Sequence, residues 1–170
     1  DTAKKGNRTL HLMGLVSDGG VHSHINHLKA IIDVCKAQGL TNVVVHAFTD
    51  GRDTDPKSGL GFITDLQQHL QKNVGKIGTV SGRYFAMDRD KRWERVKLAY
   101  DALVNGVGEH AASAIKAIED SYKHNITDEF IKPTVIAAEG EAPATIKPGD
   151  SVICFNFRTD RCREITQVLT

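Results

Sequence analysis

Arginine, aspartate and histidine gather in four short runs of this sequence: SDGGVHSH (17–24), TDGRDTDP (49–56), GRYFAMDRDKR (82–92) and RTDR (158–161). Guanidinium groups are planar forks that match the oxygens of a carboxylate or phosphate. Arg52, Arg83, Arg89, Arg158 and Arg161 therefore read as an anion receptor if the chain brings the four runs together. Asp53 supplies a carboxylate that can accept or donate a proton beside them, and His22 a second titratable group. In SDGGVHSH, Gly19 and Gly20 let the backbone turn sharply and approach a ligand closely. Ser23 is expected to cap the helix that follows, leaving His22 over the site, and Asp18 reads as a turn residue.

Each run also has an ordinary reading. In RTDR, Thr159 reads as a helix N-cap and Asp160 as a first-turn acid, so Arg158 and Arg161 would flank the positive end of a helix. The alternative is that Arg158 pairs with Asp160 and Arg161 is solvated. Asp50, Asp53 and Asp55 could in principle hold a divalent metal, but the glycine and glutamate of a calcium loop are missing and Arg52 opposes a cation. Asp50 and Asp55 are assigned to a turn and a helix cap. His24 and His27 have no third ligand nearby, so no metal site is expected in this chain. His46 reads as a hydrogen-bonded core histidine, Trp93 as a core residue, and Arg95 as solvated helix surface.

These runs need a scaffold. Residues 10–16, 43–48, 77–81 and 151–157 read as strands buried on both faces, hence a largely parallel sheet. Residues 24–38, 58–72, 88–104 and 111–123 carry apolar side chains at helical spacing. Residues 134–138 and 144–146, either side of EGEAP, read as a hairpin, so part of the sheet is expected to be antiparallel. The alternation predicts a single α/β domain, a three-layer αβα sandwich with a mostly parallel mixed sheet. Each run follows a strand, so all four should reach the carboxyl edge of the sheet, where such folds bind ligands.

Bulk properties narrow the function. The chain has 170 residues, 40% hydrophobic and 25% charged, with a formal net charge of +1. That size suits one domain with a sizeable core. The near-neutral charge and lack of exposed aromatic motifs argue against nucleic acid as a partner, and no apolar run is long enough to span a bilayer. Cys35, Cys154 and Cys162 form no CxxC pair, which fits a reducing, cytoplasmic compartment. Cys162, near a helix start and two arginines, reads either as a thiol that favours its thiolate or as an inert packed one, and Cys154 is expected to be buried. The opening DTAKKGNR is not read as a signal peptide. The lack of an initial Met and the unpunctuated ending REITQVLT lead us to expect a piece of a longer protein.

The stretches LMGLVSDGGVHSHINHL, HAFTDGRDTDP, SGRYFAMDRDKRWERV, IEDSYKHNITDEFIKP and FNFRTDR, in this order, resemble the cofactor-independent phosphoglycerate mutases over almost the whole chain. The resemblance implies an inserted phosphotransferase domain, residues 1–170, separated from a phosphatase-like domain that lies outside this chain. In that family the phosphatase-like domain carries a nucleophilic serine and two divalent metals, usually manganese. The reaction interconverts 3-phosphoglycerate and 2-phosphoglycerate, with the phosphate passing through the serine while this domain holds the glycerate. By motif position, the substrate-binding residues fall on His22, Arg52, Asp53, Arg83, Arg89, Arg158 and Arg161, the seven already reached from the strand ends. Asp53 and His22 are the implied catalytic residues, with proton exchange assigned to Asp53. One departure is Thr159, where many members have proline. The resemblance also leads us to expect a monomer that docks its phosphatase-like domain in cis, and no activity from this chain alone. Two other classes were weighed: a free-standing binding module for small phosphorylated acids, and a hydrolase using Ser17 or Ser23 with His22. The second lacks a carboxylate clearly placed to orient the histidine.

Overall fold

Two strands buried at every position organise the fold. β1 (Leu10–Leu15) and β2 (Val43–Thr49) expose no side chain, because apolar residues occupy both faces of their pleat. The structure is a computed structural model describing residues 2–6 and 8–170; Asp1 and Asn7, both in the polar opening, lie outside the described residues. After a short α1 (Thr2–Lys5), the order is β1, α2 (Ile25–Ala37), β2, α3 (Gly59–Lys72), β3 (Lys76–Gly82), α4 (Arg83–Ala86), α5 (Trp93–Tyr100), β4 (Glu109–Ala111), α6 (Ala114–Lys123), β5 (Thr134–Ile136), β6 (Ser151–Cys154) and α7 (Arg163–Leu169).

The six strands lie in the order β4-β5-β3-β2-β1-β6. β6, β1, β2 and β3 run parallel. β5 is antiparallel to β3 and parallel to β4, which makes the sheet mixed. Alternate residues of β1 enter different cores. Leu10 and Leu12 meet Leu28 and Ile32 of α2, Leu66 of α3 and Ile118 of α6. Met13 and Leu15 meet Met87, Val96 of α5 and Ile165 of α7. The αβα sandwich is therefore as the sequence predicts.

Several boundaries differ. The proposed hairpin is absent: residues 144–146 form no strand, and Ile146 N–H instead donates to the Leu103 carbonyl. β5 takes β3 and β4 as partners, and Pro143 and Pro148 leave the returning segment short of donors. The helix expected over 88–104 begins only at Trp93. The Asp88 carboxylate takes the N–H groups of Asp90 and Arg92, and Lys91 adopts φ +59, so the backbone there turns rather than coils. Trp93 is 41% exposed and not a core residue; Val96, Ala99 and Leu103 fill that role. β6 is shorter than residues 151–157 and is an edge strand with Val152 and Ile153 exposed, not a strand buried on both faces.

Candidate functional site

Because β1, β2, β3 and β6 are parallel, the segments leaving them emerge on one edge. The first joint is Asp50, 2% exposed at the end of β2. Its carboxylate accepts Ser17 Oγ at 2.6 Å, Arg83 Nη1 at 2.8 Å, and the N–H groups of Arg52 and Asp53 at 3.2 and 3.0 Å. Burial pushes its pKa up, but these donors outweigh that and hold it below the ordinary carboxylate value. Arg83 Nη1 also reaches Asp53 Oδ2 at 2.7 Å. One buried guanidinium thus ties the runs after β2 and β3, and Ser17 adds the run after β1. Gly20 adopts φ +72, and a Cβ on Gly19 would lie 3.1 Å from Asp53 Cβ, so the backbone of the first run passes close to the second.

His22 joins the first run to the fourth. Its carbonyl accepts the N–H of Phe157 at 2.9 Å and of Arg158 at 3.3 Å. Its ring is 3% exposed, with Nε2 3.9 Å from Asp53 Oδ2 and Nδ1 3.8 Å from Asp160 Oδ1. His22 Nδ1 and Asp160 Oδ1 are both buried without an aligned hydrogen-bond partner among the described residues. Burial, then the charge of Arg83, lowers the His22 pKa against the pull of Asp53 and Asp160. The ring is therefore neutral at neutral pH.

Asp160 sits at the middle of the remaining arginines. Arg89 Nη1 lies 2.9 Å from its Oδ2 and Arg158 Nε 3.0 Å from its Oδ1. Burial raises its pKa, but Arg89, Arg158 and His22 hold it below the ordinary value. Arg161 Nη1 donates to the Met87 carbonyl at 3.3 Å, across the seam between the third and fourth runs. The Arg161 pKa is lowered by burial and by repulsion from Arg89, Arg83 and Arg52. The repelling arginines belong to the second and third runs. Arg52 lies at the rim, its side chain 56% exposed and 3.7 Å from Glu129. All seven sequence-predicted residues thus lie around one edge, with Arg52 the outermost.

The local details correct parts of the sequence reading. Thr159 does not cap a helix: α7 starts at Arg163 with Cys162 before it, so Arg158 and Arg161 stand on a turn. Ser23 donates to the Leu15 carbonyl, and His24 caps α2 by accepting Asn26 N–H. Asp50 is the turn residue expected, its Oδ1 taking the N–H groups of Arg52 and Asp53, and it is also the buried anchor of Arg83. Arg95 stacks on the Tyr84 ring 3.8 Å away and approaches Asp88 at 3.8 Å, so it is not free surface. Cys162 is the buried thiol and Cys154 the more exposed one. Sequence reasoning did not single out Asp160 for the site; the signal available was an acid flanked on both sides by site arginines.

Among the described residues, no group of three His, Cys, Asp or Glu side chains is placed to hold a metal ion. Asp50 and Asp53 hold Arg83 instead, and the arginines that surround them are groups that fit an anion. A hollow of about 430 Å³ lies elsewhere, between β4 and α6, lined by Glu109, His110, Asp120 and Lys132. It shares no residue with the arginine site. No helix among the described residues is long and apolar enough to cross a membrane.

Comparison with known proteins places this geometry. Residues 1–170 match a family model described as BPG-independent PGAM N-terminus (iPGM_N). The 2,3-bisphosphoglycerate-independent phosphoglycerate mutase of Clostridium perfringens is 59% identical over 170 residues, covering 99% of this chain and 33% of that protein. The protein of the same name from Parabacteroides distasonis is 56% identical over 168 residues, again covering 33% of its length. A crystal structure of Leishmania mexicana phosphoglycerate mutase at low cobalt concentration superposes with a TM-score of 0.91 and 38% identity, over 95% of this chain and 31% of that one. The chain therefore spans about a third of the length of the curated relatives it matches.

Proposed function

The chain belongs to the BPG-independent phosphoglycerate mutase N-terminus family, and from that premise we propose that its arginine edge holds the glycerate of 3-phosphoglycerate and 2-phosphoglycerate while they are interconverted. In this reading residues 1–170 are the phosphotransferase domain of a longer cytoplasmic isomerase of glycolysis and gluconeogenesis. A phosphatase-like domain outside this chain carries the serine that takes the phosphate and the two manganese ions. Among the described residues, no group of three His, Cys, Asp or Glu side chains fits those ions.

The observation that carries the reading is Asp160. Its carboxylate is gripped by Arg89 and Arg158 and faces His22, as the carboxylate or phosphate of a ligand would be. An entering phosphoglycerate takes over those two guanidinium groups, and Arg161, crowded by like charges, gains a counter-charge. Arg83, fixed by two carboxylates, holds Asp53 still. Asp53 exchanges the hydroxyl proton as the phosphoryl group leaves one oxygen and returns to the other. His22, neutral, offers the ligand its Nδ1 atom, which has no hydrogen-bond partner among the described residues. Closure of the second domain would exclude water from the phosphoserine stage.

The test is phosphorus NMR of 3-phosphoglycerate incubated with the full-length protein and with this chain. The full-length protein should interconvert the two isomers and this chain should not. Each charge-assisted bond contributes about 1.5–3 kcal/mol, so Arg89→Ala and Arg158→Ala should each lower full-length turnover by roughly 10- to 150-fold. Undiminished turnover in the double variant, or interconversion by rigorously purified residues 1–170, would overturn the reading.

A further inference from the structure

Two sulfur atoms beside the arginine edge have no part in that chemistry. β6 ends at Cys154, and Cys162 immediately precedes α7; the seven residues between them include Arg158, Asp160 and Arg161. Both cysteines pack into the core cluster beneath α5 and α7. Both also line one hollow of about 550 Å³, together with Asn156, Thr159, Thr166 and Gln167.

Asn156 holds the buried member of the pair. Its Nδ2 donates to Cys162 Sγ at 3.0 Å. Its Oδ1 accepts Leu15 N–H at 2.9 Å, which anchors it to β1. Cys162 is 5% exposed, while Cys154 is only half-buried. The two thiols therefore face one hollow, Cys154 the more reachable and Cys162 held behind it by Asn156.

We propose that Cys154 and Cys162 are a redox modification site, a dithiol that a hydroperoxide converts to an intramolecular disulfide closing the loop of Arg158 and Arg161. The division of labour follows from exposure, with Cys154 half-buried at the hollow and Cys162 buried. The neighbouring Cys162 lowers the Cys154 pKa to about 7 against its burial. Cys154, and burial, push the Cys162 thiol up. Cys154 is thus the attacking thiolate and Cys162 the resolving thiol. The Cys154 thiolate attacks one peroxide oxygen, the O–O bond breaks, and the other oxygen leaves as an alkoxide that takes a proton. Cys154 is then a sulfenic acid, oxidised by two electrons. The Cys162 sulfur attacks the Cys154 sulfur, the S–O bond breaks, and water leaves with the Cys162 proton. A disulfide needs a sulfur separation of about 2.05 Å, so closure draws the start of α7 toward β6. That movement acts on the turn bearing Arg161 and on its bond to the Met87 carbonyl. Bond formation does not depend on the functional reading above; only its effect on ligand binding does.

The experiment treats the full-length protein with dilute hydrogen peroxide, blocks remaining thiols with iodoacetamide and maps the peptides by mass spectrometry. The expected product links the Cys154 and Cys162 peptides with loss of two hydrogens, and dithiothreitol reverses it. Cys35, buried on the opposite face of the sheet, should stay reduced. In Cys162→Ser, Cys154 should proceed to sulfinic acid instead. On the untreated protein at pH 7, Cys154 should alkylate at least ~10-fold faster than Cys35, a comparison that needs no variant. Overoxidation of Cys154 with Cys162 left free in the wild-type protein, or oxidation of neither faster than Cys35, would overturn the proposal.

Discussion

Replacing Asp50 by alanine should destabilise the fold and loosen three of the four site loops together. The carboxylate receives four hydrogen bonds, and its closest charged partner, Arg83, has a side chain only 2% exposed. Removing it strands a buried guanidinium on Asp53 alone and frees Ser17 Oγ. Breaking one side of a buried ion pair costs about 3–5 kcal/mol, and Asp53 offsets only part of that. For a chain of this length ~1 kcal/mol shifts Tm by about 2–4 °C, so Asp50→Ala should lower Tm by roughly 6–20 °C. Asp50→Asn should cost far less, about 1–2 kcal/mol. Its amide oxygen can still accept from Arg83 and the two N–H groups, and the Ser17 hydroxyl can rotate to accept from the new NH₂. The Asp50 pKa is lowered in the fold, so this stabilisation is complete above the unfolded carboxylate value and is lost as pH falls through the lowered one. Urea unfolding followed by circular dichroism measures both variants. An Asp50→Ala within about 1 kcal/mol of wild type, or an Asp50→Asn equally damaged, would refute the reasoning.

Three further outcomes are expected. A buried chain runs from the Thr79 hydroxyl to His46 Nδ1, from His46 Nε2 to His11 Nδ1 and from His11 Nε2 to Asp150, and burial lowers the His46 pKa to about 3 and lowers that of His11. The unfolded chain then binds more protons, so stability should fall as pH drops below about 6.5; His46→Gln should flatten that slope by about 1.4 kcal/mol per pH unit in urea unfolding, and an unchanged slope would show that His46 is not buried neutral. Glu164 accepts the N–H of Lys91, whose φ is +59, and burial and Asp88 raise its pKa, so stability should decline as pH rises through that raised value. Glu164→Gln should remove the decline and Glu164→Ala should cost about 1–3 kcal/mol by calorimetry; a decline that persists in Glu164→Gln would place its origin elsewhere. Calorimetric titration of manganese into this chain should give no tight site, and a micromolar single site would contradict the assignment of Asp50 and Asp53 to Arg83.

The sequence made the centre of the fold readable and its margins unreadable. β1 and β2 could be recognised because apolar residues fill both faces of the pleat, and a parallel sheet then sends every following loop to one edge. That is why His22, Asp53 and the arginines could be chosen before their contacts were known. β4 was missed because it is three residues long, is largely exposed and pairs only with β5; nothing local encodes that pairing. Trp93 sat on a helical stripe, but the turn built by Asp88 and Lys91 delays the helix and leaves the indole outside. Asp50 and Asp160 were underread for a common reason. Each is a short acid in a turn, and only the distant arginines that converge on it, Arg83 for one and Arg89 for the other, reveal that it organises the site.

The proposed function requires that the four loops bind one anion. Titration of the ¹⁵N-labelled chain with 3-phosphoglycerate, monitored by NMR, measures this directly. Binding should be weak, roughly millimolar, because solvent screens the arginines while no second domain covers them. The shifted amides should be those of 17–24, 49–56, 82–92 and 155–162, with glycerate or phosphate alone weaker than the intact ligand. Arg89→Ala and Arg158→Ala should each weaken binding without unfolding the chain, and the double change should be less than additive because both act on one ligand. Lys123→Ala, which removes the same charge from an exposed site on α6, should leave the affinity unchanged. Equal loss of affinity in Lys123→Ala, or shifts scattered beyond these four loops, would contradict the central claim.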